Sequence, residues 1–73
     1  MYLNFTIMLE LQKHVLSQVK HNKELFIKEL IKSKKWLNHS EIENLKEWLH
    51  QEQFKNHHQI IKATLTHHYQ IAS

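Results

Sequence analysis

Histidine is the residue type that most invites a chemical interpretation of this chain, because eight of its 73 residues are histidines. Histidines that bind one metal ion from a single helix lie three or four residues apart, so that both imidazoles share a face. No pair of histidines in this sequence has either spacing. We therefore expect solvated histidines and no metal site. The eight are His14, His21, His39, His50, His57, His58, His67 and His68.

Glu47 and His50 form a Glu-x-x-His motif of the kind that di-iron helix bundles use. Those centres need two such motifs and two further glutamates, all pointing into the bundle. Here Glu43, Glu47 and His50 share one side of the predicted third helix, opposite its apolar side. That arrangement places the carboxylates in water. The motif therefore predicts no metal centre, and we expect no cofactor.

Residues for enzyme chemistry are scarce in this sequence. It contains no Asp, Cys or Gly, which excludes thiol nucleophiles and glycine-rich phosphate loops. Its four serines lie outside any nucleophile-elbow pattern. We therefore expect that the protein is not an enzyme.

All ten basic side chains of the chain are lysines, and its formal net charge is +3 with neutral histidines. The alternative to a protein-binding surface is a nucleic-acid surface on the second helix, next to a predicted helix–turn–helix joint, together with the histidine-rich fourth helix. The lysines of this candidate surface are Lys28, Lys32, Lys34, Lys35 and Lys62.

Two features weigh against sequence-specific DNA binding. Arginine, whose forked donors suit guanine edges and phosphates best, is absent. The exposed face of the third helix is also acidic, and phosphate groups would repel it. Its glutamates are Glu41, Glu43, Glu47 and Glu52. A small nucleic-acid-associated regulator is therefore the alternative function, not the first.

Four large apolar residues lie beside the predicted core faces instead of on them. Ile7 and Leu11 fall off the main apolar arc of the first helix, and Trp36 and Trp48 flank the faces of the second and third. The tryptophans can cover the edge of the core or anchor a protein partner. These residues favour a non-enzymatic interaction or regulatory module that uses helix faces to bind another protein or its own copy.

The composition favours a small all-α domain. Gly and Pro, which sheets and long loops need at bends, are both absent. With no Cys, disulfides cannot support the small core. No run approaches the roughly 18 apolar residues of a transmembrane helix. The first eleven residues lack the basic start of a signal peptide, so we expect a cytoplasmic protein.

Four asparagines divide the chain into helical units of similar length, at Asn4, Asn22, Asn38 and Asn56. The units run over about residues 5–21, 23–37, 41–53 and 57–70. The first two have apolar faces that stay in phase, so one long helix is an alternative to two. Five consecutive polar residues, 20–24, favour a break near Asn22, since they would leave a hole in a continuous apolar seam.

Apolar residues at the helical period define the predicted core faces of the four units. They are Phe5, Met8, Leu9, Val15, Leu16 and Val19; Phe26, Ile27, Leu30, Ile31 and Leu37; Ile42, Leu45 and Leu49; and Ile61 and Leu65 with His58 or Tyr69. If the third helix continued straight, Phe54 would lie about 160° from its apolar stripe. We therefore place a joint at Lys55–Asn56, with Asn56 and Gln59 as a weak capping pair.

The joint between the second and third units carries both a stop and a start signal. Ser40 and Glu43 fit the capping box that begins a helix. Asn38 tolerates the left-handed conformation that closes a preceding helix. The sequence thus predicts an all-α fold over residues 1–73: a small, self-associating bundle of three to four short helices, in one domain.

Overall fold

The structure, a computed structural model, describes the backbone of residues 4–66 and the side chains of residues 7–66. It contains helices α1 (Asn4–Gln18), α2 (Lys23–Trp36), α3 (His39–Trp48) and α4 (His58–Thr66), and a 3-10 helix (Glu52–His57) that leads into α4. Between residues 4 and 66 the chain forms no strand. The prediction of a small all-α bundle is confirmed.

The break between α1 and α2 lies where the polar run predicted it. Asn22 is the N-cap of α2, and its side-chain oxygen accepts a hydrogen bond from the backbone N–H of Leu25 at 3.1 Å. This bond satisfies one of the N–H groups that the start of a helix leaves without a partner. The chain can turn here because residues 20–24 contribute no apolar side chain to a continuous seam.

Helices α1 and α2 form an antiparallel hairpin. The side-chain amide of Gln12 in α1 donates to the hydroxyl of Ser33 at 2.8 Å and to the backbone carbonyl of Glu29 at 3.3 Å, both in α2. Because the chain reverses between these helices, residues that come earlier in α1 lie opposite residues that come later in α2. The beginning of α1 therefore lies beside the end of α2.

The joint between α2 and α3 corrects two predictions. The N-cap of α3 is Asn38 and not Ser40. The Asn38 side chain accepts from the N–H of Glu41 at 2.8 Å, and the Glu41 carboxylate accepts from the N–H of Asn38 at 2.9 Å. Asn38 is also extended, with φ −81° and ψ 177°, so the predicted left-handed closure of α2 is wrong.

Apolar contacts on either side of the cap explain this choice. Asn and Ser are about equally good N-caps, so propensity does not decide between residues 38 and 40. With Asn38 as the cap, Leu37 and Ile42 take the two positions of a hydrophobic staple, and both are buried. With Ser40 as the cap, these positions would fall on His39 and Asn44. Both are polar and exposed.

The joint between α3 and α4 lies earlier than the predicted Lys55–Asn56. Helix α3 ends at Trp48, and Asn56 lies inside the 3-10 helix, where it does not cap α4. Phe54 is completely buried, with its ring centroid 5.8 Å from that of Phe26 and 5.1 Å from that of Trp48. A longer α3 would have carried Phe54 away from the core, and the early break turns it inward.

The core is a single cluster to which all four α-helices and the 3-10 helix contribute. It consists of Leu9, Leu16, Phe26, Leu30, Leu37, Ile42, Leu45, Leu49, Phe54, Ile61 and Leu65. Helix α2 packs against α1 and α4, and α3 also packs against both of these. Ile31 was expected in the core but is exposed, because the neighbours of α2 cover a narrower arc than its apolar residues span. His58 is exposed as well, and the Phe5 and Tyr69 side chains lie outside the described residues.

Candidate functional site

Large apolar side chains on the surface mark the candidate site of this molecule. Among the side chains that the structure describes, five are large, apolar and exposed: Ile7, Leu11, Leu25, Ile31 and Trp36. Single exposed apolar residues are common on monomeric proteins and need no explanation. The informative question is which of the five lie together.

Ile7 and Leu11 lie together on the outer face of α1. Their spacing of four residues separates them by only about 40° around the helix axis. The buried residues Leu9 and Leu16 lie about 140–180° away from them on the same wheel. Ile7 is 59% exposed and Leu11 is 46% exposed. These two side chains therefore point away from the core of their own molecule.

Trp36, which is 53% exposed, lies at the end of α2 on the flank that faces α1. It follows Glu29 by seven residues, almost two full turns, so both residues occupy the same side of α2. The Glu29 carbonyl accepts from Gln12 of α1, which shows that this side is the one next to α1. Since the two helices are antiparallel, Trp36 lies beside the first half of α1.

We use the name apolar surface for Ile7, Leu11 and Trp36. The ammonium group of Lys32 lies 5.8 Å from the centroid of the Trp36 ring and borders this surface with a positive charge. Exposed aromatic and aliphatic side chains, with a charge at the rim, are residue types that protein interfaces favour.

Leu25 and Ile31 lie elsewhere on α2. Ile31 follows Glu29 by two residues, which places it about 200° around the axis and on the flank turned away from α1. Leu25 lies in the first turn of α2, about 16 Å along the axis from Trp36. Neither residue extends the apolar surface, and Ile31 offers an exposed isoleucine on a different face for comparison with Ile7.

Trp48 lies at the edge of the core instead of on an open surface. Its ring centroid is 5.1 Å from that of the buried Phe54, and the Lys13 ammonium lies 5.9 Å from its centroid. The residue is partly buried and packs against the core cluster. This placement is the core-edge role that the sequence also allowed, so we leave Trp48 out of the apolar surface.

The candidate nucleic-acid lysines do not form one group. Lys28, Lys32 and Lys35 follow each other at spacings of four and three, so they form an exposed stripe along α2. Lys32 is 3.2 Å from the carboxylate of Glu29, which offsets part of its charge. Lys34 lies on another side of α2 and is half-buried, and Lys62 belongs to α4.

Three polar residues with structural roles escaped the sequence analysis. Gln12 and Ser33 are buried and hydrogen-bonded to each other, and Gln12 lies on the core side of the α1 wheel, about 60° from Leu9 and 40° from Leu16. Its position on the helical wheel could therefore have indicated from the sequence that Gln12 is buried. His57 lies against the α1–α2 turn, where its Nε2–H donates to the Lys20 carbonyl at 2.6 Å.

The ring of His57 also stacks on the ring of Phe26, with centroids 4.3 Å apart and planes 20° from parallel. No residue spacing in the sequence could predict this contact, because it joins α2 to the 3-10 helix, which is distant in the chain. At least one of the eight histidines is thus a packing residue and not a solvated one.

Metal-binding groups do not cluster in the described part of the chain. Residues 4–66 bring no three side chains of the His, Cys, Asp or Glu type together. His50 and His58 form a pair, with ring centroids 5.8 Å apart. Over the same residues, no helix combines the length and the apolar character that crossing a bilayer would require.

Comparison with known proteins adds no relative. No family model matches the chain, and neither the curated proteins nor the solved structures contain a match to it.

Proposed function

We propose that this chain is a non-enzymatic interaction module that binds a second copy of itself through the apolar surface of Ile7, Leu11 and Trp36. The observation that carries this proposal is the exposure of Ile7 and Leu11 on the side of α1 opposite the core. A leucine or isoleucine in that position leaves about half of its apolar surface in water in the monomer. Because each of these side chains is only about half exposed, burying the remainder against a partner would return about 0.7–1.8 kcal/mol apiece.

A second copy is the simplest partner for such a face. In a two-fold dimer the same patch serves both subunits, so Ile7 and Leu11 of one α1 would pack against those of the other. The residues that continue this side of α1 are His14 and Gln18, which are exposed and polar. The contact would therefore be short and centred on the first half of α1, next to Trp36.

The size of this surface predicts weak association. A standard interface buries about 800 Å² on each partner. The chain exposes 5149 Å², so a standard interface would need about one sixth of its surface. Three side chains cover less than that. We expect a dimer that forms in the micromolar range or above and dissociates on dilution.

A pair of isoleucine variants tests the proposal. Ile7→Lys places a charge in the contact of both copies and should raise the dissociation constant about tenfold or more, because the charge has no partner there. Ile31→Lys makes the same chemical change on the far flank of α2. This variant should associate like the unmodified chain. Sedimentation equilibrium over a wide concentration range measures both, starting from the monomer mass of 9.0 kDa.

The proposal fails if the unmodified chain stays monomeric at every concentration. It fails equally if Ile31→Lys weakens association as much as Ile7→Lys. Circular dichroism of each variant shows whether its helices are intact, so that unfolding is not mistaken for lost binding.

The stripe of Lys28, Lys32 and Lys35 keeps nucleic-acid binding as a second candidate function. Three lysine–phosphate contacts would make the logarithm of the affinity for duplex DNA fall with the logarithm of salt concentration, with a slope of about −2.7. Lys28→Gln should then reduce that slope by about 0.9. Failure to retain duplex DNA at low salt would remove this candidate.

Absence of enzyme activity and a cytoplasmic location remain predictions. Microscopy of the tagged protein would test the location.

A further inference from the structure

An open groove of about 390 Å³ lies between α3 and α4, on a different part of the molecule from the apolar surface. It is lined by Lys46, Leu49, His50, His58, Ile61, Lys62 and Thr66. Its volume lies at the small end of the roughly 300–1,000 Å³ that is typical of small-molecule sites. We call it the α3–α4 groove.

The floor of the groove is apolar. Leu49 and Ile61 belong to the buried core cluster and present only hydrocarbon to the groove. A ligand that lies on this floor must bring an apolar surface, since a polar group placed there would lose its hydrogen bonds to water. This requirement disfavours the backbone of an extended peptide, whose N–H and C=O groups would find few partners.

The rim of the groove is positively charged. Lys46 from α3 and Lys62 from α4 both line it, and none of its lining residues is a carboxylate. The Lys46 ammonium lies 3.2 Å from the Glu43 carboxylate, which sits outside the lining and balances part of its charge. Lys62, which is exposed, supplies the second charge. An anionic group between the two lysines would meet complementary charge from both helices.

Two imidazoles that line the groove add hydrogen-bonding capacity. The rings of His50 and His58 have centroids 5.8 Å apart and planes tilted by 55°. Each neutral imidazole carries one N–H donor and one acceptor. They can therefore donate to an oxygen that the lysines attract.

We propose that the α3–α4 groove binds a small carboxylate with an apolar body, such as a medium-chain aliphatic acid. The apolar body would lie on Leu49 and Ile61, and the carboxylate would lie between Lys46 and Lys62.

The acidic residues around the groove restrict the ligand to a single negative charge. Glu43 and Glu47 lie on α3 about 60° and 100° around the helix axis from Lys46, on the side away from the buried Leu45. An extended polyanion that reached past the rim would meet both carboxylates and be repelled. A compact acid keeps its one charge between the lysines.

The first test compares an acid with its amide on the unmodified chain. Octanoate should shift the ring resonances of His50 and His58 in two-dimensional NMR spectra, in a saturable manner. Octanamide has the same apolar body without the charge and should bind about tenfold more weakly or worse, since hydrogen bonds to charged groups are the stronger ones. Equal binding of the two compounds would overturn the proposal, and so would the absence of any shift.

The second test compares two lysine variants. Lys62→Met keeps a long apolar stem but removes the rim charge, and it should weaken octanoate binding about tenfold. Lys28→Met makes the same change on the outer side of α2 and should leave octanoate binding unchanged. Equal effects of the two variants would mean that net charge, and not the groove, attracts the acid, and would overturn the proposal.

Competitors separate the other possible occupants. A peptide that ends in leucine with a free carboxylate, and a short DNA duplex, should each shift the two histidines less than octanoate at equal concentration. A larger shift by either one would overturn the assignment to a small acid. None of these measurements depends on Ile7 or Leu11, so the outcome is independent of the proposed self-association.

Discussion

Gln12 and Ser33 are buried polar residues that hydrogen-bond to each other between α1 and α2. Ser33 also donates from its hydroxyl to the Glu29 carbonyl at 2.9 Å, within its own helix. A buried polar pair stabilises only modestly, but losing one partner is costly because the other stays buried without its bond. The pair therefore favours one alignment of α1 along α2. If α1 slid along α2, the Gln12 amide would lose its hydrogen bond to Ser33.

Single and double substitutions at these positions should not be additive. Ser33→Ala removes the 2.8 Å acceptor of the Gln12 amide and should lower the free energy of unfolding by about 1–2 kcal/mol. Gln12→Leu leaves Ser33 hydrogen-bonded to Glu29 and should change the free energy of unfolding less than Ser33→Ala does. Ser33→Ala alone leaves one of the two amide N–H groups of Gln12 without its acceptor, whereas the double variant has no such group, so its stability should exceed that of Ser33→Ala. Urea denaturation measures all three, and strict additivity would contradict a coupled pair.

At the scale of elements, the start of α3 depends on Asn38 and on the buried Leu37 and Ile42 that flank its first turn. Ser40 lies inside the helix and is exposed. Asn38 and Ser40 are similar candidates for the N-cap by residue type, but in the structure only Asn38 has that role. The cap also fixes the chain direction between α2 and α3, because Leu37 ends one helix and Asn38 begins the next.

Alanine substitutions distinguish the two residues. Asn38→Ala removes the acceptor for the Glu41 N–H and should cost about 1 kcal/mol of stability. Ser40→Ala keeps the cap and replaces a helix position by the best helix former, so its effect should be within about 0.5 kcal/mol. Thermal denaturation followed by circular dichroism compares them directly. A larger loss at Ser40 than at Asn38 would restore the cap that the sequence alone suggested.

At the scale of the whole molecule, Phe54 joins parts of the chain that are far apart in sequence. Its ring contacts Phe26 of α2 and Trp48 of α3, and it is supplied by the 3-10 helix. Because Phe54 and Phe26 are both completely buried in a small core, the loss of the Phe54 ring would leave a cavity that the surrounding side chains cannot easily fill. The 3-10 helix is thus required for the packing of the bundle and is more than a connection.

Phe54→Ala should destabilise the protein by about 3–5 kcal/mol. A domain of this length has a total stability of only about 4–11 kcal/mol, so the variant should lose a large part of its cooperative folding. Ile31→Ala removes an exposed apolar side chain and should stay within about 0.5 kcal/mol of the unmodified chain. Urea unfolding followed by tryptophan fluorescence reports both. A Phe54→Ala variant as stable as Ile31→Ala would refute the central role of this ring.

The candidate surfaces differ in how far the sequence could reveal them. Ile7, Leu11 and Trp36 lie outside the core faces that the helical periodicity of apolar residues predicts, so the sequence alone identified them. The α3–α4 groove could not be inferred in this way. Its lysines lie 16 residues apart in the chain, at positions 46 and 62, and only the packing of two helices places them on one rim.

The amino-acid sequence by itself determined that this chain is helical, where α1 gives way to α2, and which residues build most of the core. These properties follow from the helical period of the apolar residues and from the lack of Gly and Pro. Both are local effects that depend on residues close together in the sequence. Tertiary structure decided which of two equivalent caps begins α3, where the 3-10 helix turns Phe54 inward, and that Gln12 and Ser33 are buried while Ile31 is exposed. Each of these depends on which side chains from other helices are available to cover a residue, and no local pattern contains that information.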